Sequence, residues 1–270
     1  MTRFENEQRS VLRGLLRSLN DENVATLGLI PWASPVPTFG DLGCSKVATL
    51  GLNPSNREFV SLDGCELTGE AQRLPTLRSL GLDCWASASR KHHDLILEAC
   101  WSYFKRSPYD GWFGQLDFLL QRMNASYYGS RSTIACHLDL IPFATIEKWT
   151  ALTTDSRRLL LEIGADALGR LLKASPVKTL VVNGRSVIDQ LFKITDFSAA
   201  MDEMPMWALR RKGEPTVKGY SFSGVLRVVH GISLEREVRV LGFNHNLQSS
   251  FGVTSHVRSE IANWIEKSHI

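Results

Sequence analysis

The sequence predicts an α/β protein of three layers, an α/β/α sandwich in which helices cover both faces of a central, mostly parallel sheet. Short apolar runs typical of buried strands alternate with longer amphipathic segments typical of helices. The chain has 270 residues, of which 43% are hydrophobic and 22% are charged. This composition is typical of a globular protein with a substantial core. No run approaches the roughly 18 apolar residues that a membrane-spanning helix needs.

The N-terminal half of the chain is predicted to contain helices around two strands. Residues 4–20 carry apolar side chains on one side at helical spacing, which predicts an amphipathic helix. An apolar run predicts a strand over 46–52, and Asn53 and Pro54 end it because proline cannot donate to a strand ladder. A second apolar run predicts a strand over 133–140. The helices between these strands are predicted at about 69–80, 92–105 and 112–123.

The C-terminal half continues the alternation of strands and helices. The helices are predicted from Asp155 to Ala174, from Ser186 onward, and from Ser255 to Lys267. The strands are predicted over 178–183, as a pair within 217–231, and over 237–244. Strands that alternate with long helices imply a parallel sheet covered on both faces. Ligands bind such sheets at the carboxyl ends of the strands, so a site is expected in the loops that follow them.

The first of these loops is Gly51–Asn56, with the sequence G-L-N-P-S-N. Pro54 restricts the turn, so the chain itself holds Asn53 in place. Gly51 permits a close approach of the backbone. A turn that only terminates the strand is the alternative interpretation of this segment.

Two further strand ends are also unusually polar. In His137–Thr145, Asp139 stands within an apolar stretch, where a carboxyl group is costly to bury unless it is paired. Asn244–Gly252 follows the last predicted strand and contains His245. A capping aspartate and an ordinary loop histidine are the alternatives. Three polar strand ends at one edge of a sheet favour a ligand site.

These segments resemble the motifs of the uracil-DNA glycosylase superfamily, nearest to its mismatch-specific thymine/uracil branch. Gly51–Ser55 resembles the first motif, G-x-N-P, and His137–Thr145 resembles the T-N-x-V-x-R-x-T of that branch. The V-N-G-R of Val182–Arg185 resembles a later strand that ends in N-G-K. The loop around His245 stands where the second motif, often H-P-S-P or N-P-S-G, grips the substrate. The resemblance covers roughly residues 44–265.

The resemblance implies a uracil-DNA glycosylase-like fold and one glycosylase-like domain over residues 1–270. Residues 1–22 are then an N-terminal helical extension, and residues 85–130 are a helical, aromatic-rich insertion. Most rings of this insertion are expected in the core, because they occur at helical spacing. Tyr109 and Trp112 are the exceptions, since they fall in a predicted connecting loop where they could line a pocket.

The resemblance also implies the residues of the site. Asn53 would orient the hydrolytic water and His245 would donate a hydrogen bond to the departing base, so both are predicted to be catalytic. The residues predicted to contact the base are Gly51, Leu52, Phe59, Asp139 and Asn183. The residues predicted to contact DNA are Pro54, Ser55, Asn56, Asn246, Leu247, Ser249 and Ser250. Leu247 or Phe251 could fill the space that a flipped base leaves, with core packing as the alternative.

Two positions depart from the family pattern. The second motif lacks its usual proline, so the register around His245 could differ by one or two positions. Asp139 stands where the mismatch-specific enzymes have asparagine. An amide both donates and accepts hydrogen bonds, whereas a carboxylate only accepts, so Asp139 suits the amino group of cytosine. The predicted substrate is a modified cytosine, such as the hydroxymethylated or glucosylated base of some phage DNA, and its excision would be an antiviral act.

Two other functions stay open: a uracil or thymine mismatch repair glycosylase, and a catalytically silent glycosylase-like protein that binds nucleic acid. The predicted partner is DNA, either double-stranded with a flipped base or single-stranded, with no membrane and no obligate protein partner. No cofactor and no metal are expected, because the family cleaves with water and the five cysteines include no C-x-x-C pair. The acidic N-terminus lacks the apolar core of a signal peptide, so the expected location is the cytoplasm.

Two other enzyme classes lack their motifs. No G-x-S-x-G elbow follows a predicted strand, as an α/β-hydrolase would require, and no G-x-G-x-x-G follows the first strand. The segment 205–240 is basic, and it could form a patch that contacts phosphates or a solvated basic loop.

Overall fold

The structure is a computed structural model that describes residues 3–106, 110–211, 214–248, 250 and 252–269. Its helices are α1 (Arg3–Ser18), α2 (Glu22–Ala25), α3 (Leu77–Leu80), α4 (Arg90–Trp101), α5 (Tyr103–Arg106), α6 (Asp110–Gln121), α7 (Thr154–Ala174), α8 (Arg185–Ile194) and α9 (Ser255–His269). Its strands are β1 (Val47–Gly51), β2 (Ala135–Asp139), β3 (Thr179–Asn183), β4 (Ser198–Glu203), β5 (Leu209–Arg211), β6 (Glu214–Val217), β7 (Tyr220–Val229) and β8 (Ile232–Phe243).

A central six-stranded sheet has the strand order β2-β1-β3-β8-β7-β4. The first four strands of this order run parallel, and β7 and β4 add an antiparallel edge. Strands β5 and β6 form a separate pair. The parallel register places Gly51 beside Asp139 and Asn183 beside Phe243. The polar segments that follow β1, β2, β3 and β8 therefore leave the sheet on the same side, at the carboxyl ends of these strands.

Helices cover both faces of the sheet, which confirms the predicted three-layer α/β/α class. The two faces follow from the alternation of side chains along each strand. One core cluster joins β1 and β3 to α7 and α8, and includes Leu50, Val182, Leu168 and Ile188. The opposite cluster joins the other faces of the same strands to α4, α6 and α9, and includes Val47, Val181, Ile96, Leu116 and Ile261.

Helix α1 packs against α7 and α4. Its apolar side chains contribute to both core clusters: Leu15 belongs to the cluster of α7 and α8, and Leu12 belongs to the cluster of α4, α6 and α9. Glu7 of α1 also accepts a hydrogen bond from Arg170 of α7 at 2.7 Å. Among the described residues, no helix is both long and apolar enough to cross a bilayer.

The helix predicted over 69–80 is wrong. This stretch contains a single 3-10 turn at Gly69–Ala71 and the short helix α3. Pro75 separates them, because proline disfavours helical backbone in the residue before it. Thr76 then caps α3 through its side chain, which accepts from the backbone N–H of Ser79 at 3.1 Å.

The strand pair predicted within 217–231 is also wrong in its boundaries. This stretch forms mainly β7, and its partner β8 begins at Ile232, earlier than the predicted start at 237. The turn lies at His230 and Gly231, whose φ angles of 49° and 76° are typical of a tight hairpin. The edge strand β4 was not predicted, because its exposed side chains show no apolar alternation.

Two Gly→Ala substitutions in helices are expected to have opposite effects on the free energy of unfolding. A Cβ at Gly164 of α7 would lie 2.1 Å from the Leu140 carbonyl oxygen, whereas one at Gly114 of α6 would meet nothing within 4 Å. Gly164→Ala should therefore destabilise the protein by about 2 kcal/mol or more. Gly114→Ala should stabilise it by up to about 1 kcal/mol through helix propensity. Denaturant unfolding measures both, and equal effects would contradict the close packing of α7 on the sheet.

Candidate active site

A cavity of about 100 Å³ lies at the carboxyl ends of β1 and β2. It combines aromatic walls with amide, carboxyl and imidazole groups. The residues that line it are Phe39, Asn53, Pro54, Ser55, Glu58, Trp112, Phe113, His137 and Asp139. Two of the three polar strand ends seen in the sequence contribute to it, which makes it the candidate active site.

The segment after β2 holds the Asn53 side chain. Its Nδ2 donates to the Thr145 hydroxyl at 3.1 Å and to the Phe143 carbonyl at 3.4 Å. A carbonyl oxygen only accepts, so these contacts fix which end of the amide is nitrogen. The amide oxygen Oδ1 has no hydrogen bond from the described residues, which leaves it available to a water or a ligand.

Asp139 ends β2 and is 8% exposed. Its Oδ1 lies 3.3 Å from His137 Nε2, whereas its Oδ2 is buried without a hydrogen-bond partner among the described residues. The neighbouring residue in the sheet is Gly51, where a Cβ would lie 2.5 Å from Oδ1 and 2.9 Å from the His137 ring. The carboxylate can occupy this position because that glycine has no side chain.

A chain of hydrogen bonds runs from the protein interior to Asp139. The Tyr127 hydroxyl lies 2.5 Å from Thr49 Oγ1, which in turn lies 2.6 Å from His137 Nδ1. Burial raises the pKa of the Tyr127 hydroxyl well above its usual value, so the phenol stays protonated. With Asp139 ionised, Nε2 of His137 carries the proton, Nδ1 accepts from Thr49, and Thr49 accepts from Tyr127. Every donor then points toward the carboxylate.

Glu58 is a second carboxyl group on the same cavity. It ends the 3-10 turn Asn56–Glu58 after β1 and is 2% exposed. Its Oε2 accepts from the Tyr103 hydroxyl at 2.7 Å and lies 3.8 Å from Arg73 Nη1. Burial raises the pKa of Glu58 to about 7, Tyr103 and Arg73 lower it, and the nearby charge of Asp139 raises it further. Near neutral pH, Glu58 is therefore present in both protonated and ionised forms.

Three aromatic side chains form the walls of the cavity. The rings of Phe39 and Phe113 lie 5.4 Å apart, and Trp112 meets Phe113 edge-on at 4.7 Å. The Trp112 ring also stands edge-on to His137 at 5.4 Å. Trp112 belongs to α6 rather than to a connecting loop, and Tyr109 is outside the described residues. Flat apolar walls of this kind suit a planar ring as a ligand.

The structure brings most of the first predicted motif to the cavity. Asn53, Pro54 and Ser55 line it together with Asp139. Gly51 lies behind the Asp139 carboxylate, and the Leu52 side chain packs against the core. Asn56 lies beside the loop after β2, because its Nδ2 donates to the Ile146 carbonyl at 3.3 Å.

His245 and Phe59 do not line the cavity. His245 is 2% exposed, and its Nε2 donates to the Trp207 carbonyl at 2.7 Å. Phe59 is 1% exposed, and its ring lies edge-on to Trp32 at 6.4 Å. Both side chains belong to the packing of the second core face, so the structure offers neither to a base in the cavity.

Asn183 contacts the loop after β8 instead of the cavity. Its Oδ1 accepts from the backbone N–H of Leu247 at 3.1 Å, and its Nδ2 donates to Gln248 Oε1 at 2.6 Å. Gln248 in turn donates to the Trp112 carbonyl at 3.3 Å. Asn183 therefore connects the end of β3 to one wall of the cavity through Gln248.

The loop after β8 is closed by its own hydrogen bonds. The backbone N–H of Asn246 donates to Ser250 Oγ at 2.9 Å, and the N–H of Ser250 donates to the Asn246 carbonyl at 2.8 Å. Leu247 is 7% exposed and packs in the second core cluster, so it does not stand out as a wedge. Ser249 and Phe251 lie outside the described residues.

Three basic side chains of the segment 205–240 have partners within the protein. Arg236 donates to the carbonyls of Leu172 and Val177, where it caps the end of α7. Lys218 pairs with Glu203 at 2.8 Å, and Arg227 pairs with Glu237.

Larger grooves lie along α1, away from the strand ends. They have volumes of about 640, 670 and 410 Å³ and are lined largely by charged surface residues. Their charges are partly paired within the chain, as in Arg9 with Asp94 and Lys173 with Glu235. Within the described ranges, no group of three or more His, Cys, Asp and Glu side chains could hold a metal ion.

No family model matches the chain, and no curated protein matches it. The geometry and chemistry of the cavity are therefore the basis for its functional interpretation.

The sequence does not single out four residues of the cavity. Phe39 and Glu58 lie outside the motifs, Phe113 belongs to the rings expected in the core, and His137 lies within a motif without a predicted role. The nearest signal was the position of Glu58 in the loop directly after the first strand. Glu58 is buried against Tyr103, which lies 45 positions further along the chain. No local sequence pattern indicates this contact.

The Glu58→Gln variant is expected to become more stable relative to the native protein as the pH rises from about 4.5 to about 7. In this range the folded protein retains a proton on Glu58 that the unfolded chain releases, so native stability falls as the pH rises. Glutamine has no such proton. At about 1.4 kcal/mol per pKa unit, the unfolding free energy of the variant should gain about 3 kcal/mol relative to the native protein.

Urea unfolding of both proteins across this pH range measures the difference. The matched control is Glu98→Gln at an exposed position of α4, for which no such trend is expected. A difference between Glu58→Gln and the native protein that does not change with pH would contradict the raised pKa of Glu58.

Proposed function

We propose that this chain is a monofunctional DNA glycosylase, which hydrolyses the bond between deoxyribose and a flipped-out modified cytosine and leaves an abasic site. The observation that carries the proposal is the unpaired Oδ2 of Asp139 in an aromatic-walled cavity that Asn53 also lines. The resemblance of the strand-end segments to the uracil-DNA glycosylase motifs supports it.

The unpaired oxygen favours a base with an amino group. A buried acceptor without a donor costs free energy, and a ligand N–H that reaches it removes that cost. The exocyclic amino group of cytosine is such a donor, whereas the carbonyl oxygen of uracil at the same ring position would be repelled. His137 occupies the other carboxylate oxygen, so the orientation of the acceptor is set before a base enters.

The aromatic walls of the cavity suit a planar ring. The cavity has about 100 Å³, less than the apolar cavity of about 150 Å³ that holds benzene in another protein. It must therefore widen to admit a base, and the substituent of the base must extend outside it. Phe39 and Trp112 are two of its aromatic walls. A base inside duplex DNA would have to leave the stack to reach the cavity, as bases do in enzymes that act on them.

We assign to Asn53 the role of orienting the hydrolytic water. Its amide nitrogen is held by Thr145 and Phe143, so the free oxygen has a fixed direction. An amide oxygen cannot act as a strong base, but it can orient a water and stabilise the positive charge that develops on the sugar. No residue of this step requires a cofactor.

The loops that follow β1 and β2 carry exposed apolar groups that could contact the DNA strand. Leu62 is 85% exposed in the turn that follows Glu58, and Ile146 is 57% exposed beside Asn56. Apolar side chains in such positions can fill the space that a flipped base leaves. In this proposal they take the role first expected for Leu247, and Ser55 and Asn56 donate to phosphates.

The substrate would be a modified base, because removal of ordinary cytosine would destroy the host genome. Hydroxymethylated or glucosylated cytosine in phage DNA would make excision an antiviral act. The native protein is therefore expected to produce abasic sites in duplexes that carry one of these bases, and none in duplexes that carry cytosine, uracil or mismatched thymine. Alkaline cleavage of end-labelled strands detects the abasic sites.

Asn53→Ala should lower the excision rate about 10²-fold or more, because it removes the group that orients the water. Asn6→Ala on α1 is the matched control and should retain the native rate. Excision of uracil by the native protein would instead identify a mismatch repair enzyme. DNA binding without excision of any base would identify a silent binding protein and overturn the proposal.

Asp139→Asn tests the assignment of the base. We expect this variant to lose excision of the modified cytosine, because His137 would hold the amide oxygen and the amide nitrogen would then face and repel the amino group. The exposed Asp63→Asn is the matched control. Retention of the native rate and base preference by Asp139→Asn would contradict the role of Oδ2, while leaving the glycosylase activity in place.

A further inference from the structure

A cytosine ring is a difficult leaving group, so the candidate site needs a source of protons. When the bond between C1′ and N1 breaks, both electrons of the bond stay on the base. Negative charge on a ring inside an aromatic cavity is costly unless a donor neutralises it. The residue first expected to donate, His245, is buried against the Trp207 carbonyl and does not line the cavity.

We propose that Glu58 is the general acid that protonates the departing base. This inference rests on the proposed function and names a catalytic residue within it. Glu58 lines the same cavity as Asn53 and Asp139. Both of its described contacts, from Tyr103 and Arg73, are to Oε2. Oε1 therefore has no hydrogen bond from the described residues and is the oxygen that can carry a proton to the base.

His137, Asp139 and Asn53 are not suited to supply this proton. His137 uses one nitrogen toward Thr49 and the other toward Asp139. Asp139 accepts from His137 and offers its second oxygen as an acceptor. Asn53 has an amide that does not titrate. Glu58 is the cavity residue whose carboxyl group has an oxygen free and a proton to give.

The reaction is balanced with water as the only co-reactant. The C1′–N1 bond breaks with its electron pair on the base, and the Glu58 proton moves to N3 or O2 of the ring. The oxygen of the water that Asn53 orients bonds to C1′, and the water releases one proton. That proton restores Glu58 for the next cycle, so the products are the free base and an abasic sugar.

The charged surroundings of Glu58 match this role. Burial raises its pKa to about 7, whereas Tyr103 and Arg73 prevent a larger rise. Asp139 is the negative group that faces it, and His137 is the remaining titratable group on the cavity. A general acid works best when its pKa lies near the working pH, because both forms are then populated. Excision should therefore fall as the pH rises above about 7.

The test is the pH profile of single-turnover excision from a duplex that carries 5-hydroxymethylcytosine or its glucosylated form. Glu58→Gln keeps the shape of the side chain but cannot transfer a proton. It should lower the rate constant about 10²-fold or more with little change in DNA affinity, and the fall above neutral pH should disappear. Glu98→Gln on the surface of α4 is the matched control and should keep the native profile.

Two variants that leave Glu58 intact separate proton transfer from a structural role. Tyr103→Phe removes the hydrogen bond to Oε2, and Arg73→Gln removes the nearby positive charge. Each should raise the pKa of Glu58, so the fall in rate should move to higher pH. A merely structural contribution of these residues would change the rate without moving the profile.

The outcomes distinguish this inference from the proposed function. If the native protein excises the base while Glu58→Gln keeps the native rate and pH profile, the general acid is overturned and the glycosylase stands. An unmoved profile in both Tyr103→Phe and Arg73→Gln would also overturn it. If the native protein excises neither form of hydroxymethylcytosine, both proposals fall together.

Discussion

The candidate site depends on the close approach of β1 and β2 at Gly51 and Asp139. These residues are neighbours in the parallel register, and a Cβ at Gly51 would lie 2.5 Å from the Asp139 carboxylate. The missing side chain lets the carboxylate and the His137 ring occupy the space above the strand end. This contact directs one carboxylate oxygen to His137 and leaves the other unpaired. The cavity, its acceptor and its donor network all follow from it.

The cavity carries two carboxyl groups with different environments. Asp139 lies at the end of a hydrogen-bond chain that begins at Tyr127 and passes through Thr49 and His137. Burial raises the pKa of Glu58 to about 7, because Tyr103 and Arg73 offset only part of the cost of desolvating its charged form. Two like charges in so small a volume would repel each other, and a single proton relieves that repulsion. The result is an acceptor on one side of the cavity and a proton on the other, which disfavours an anionic ligand and suits an amino-bearing ring.

Residues far from the cavity hold its aromatic wall in place. Asn183 contacts Gln248, and Gln248 donates to the backbone of Trp112 at the start of α6. The loop after β8 therefore acts through the protein framework, while His245 is engaged with Trp207 in the core. The loop after β8, which resembles a substrate-binding motif in sequence, supports the cavity wall at Trp112 in this structure. The aromatic walls come from Trp112 and Phe113 of α6 and from Phe39 in the segment before β1.

The amino-acid sequence alone is enough to predict the layers of the fold and two of the principal groups of the site. Apolar runs separated by amphipathic segments specify buried strands and covering helices, and Asn53 and Asp139 are visible because polar residues end those strands. The positions of Glu58, His137 and Phe39 on the cavity and the burial of His245 depend on tertiary contacts. Their environments are set by partners such as Tyr103, Thr49 and Trp207, which lie tens of residues away along the chain. Burial and pairing between distant segments change the pKa and the orientation of a side chain, and no local spacing encodes them.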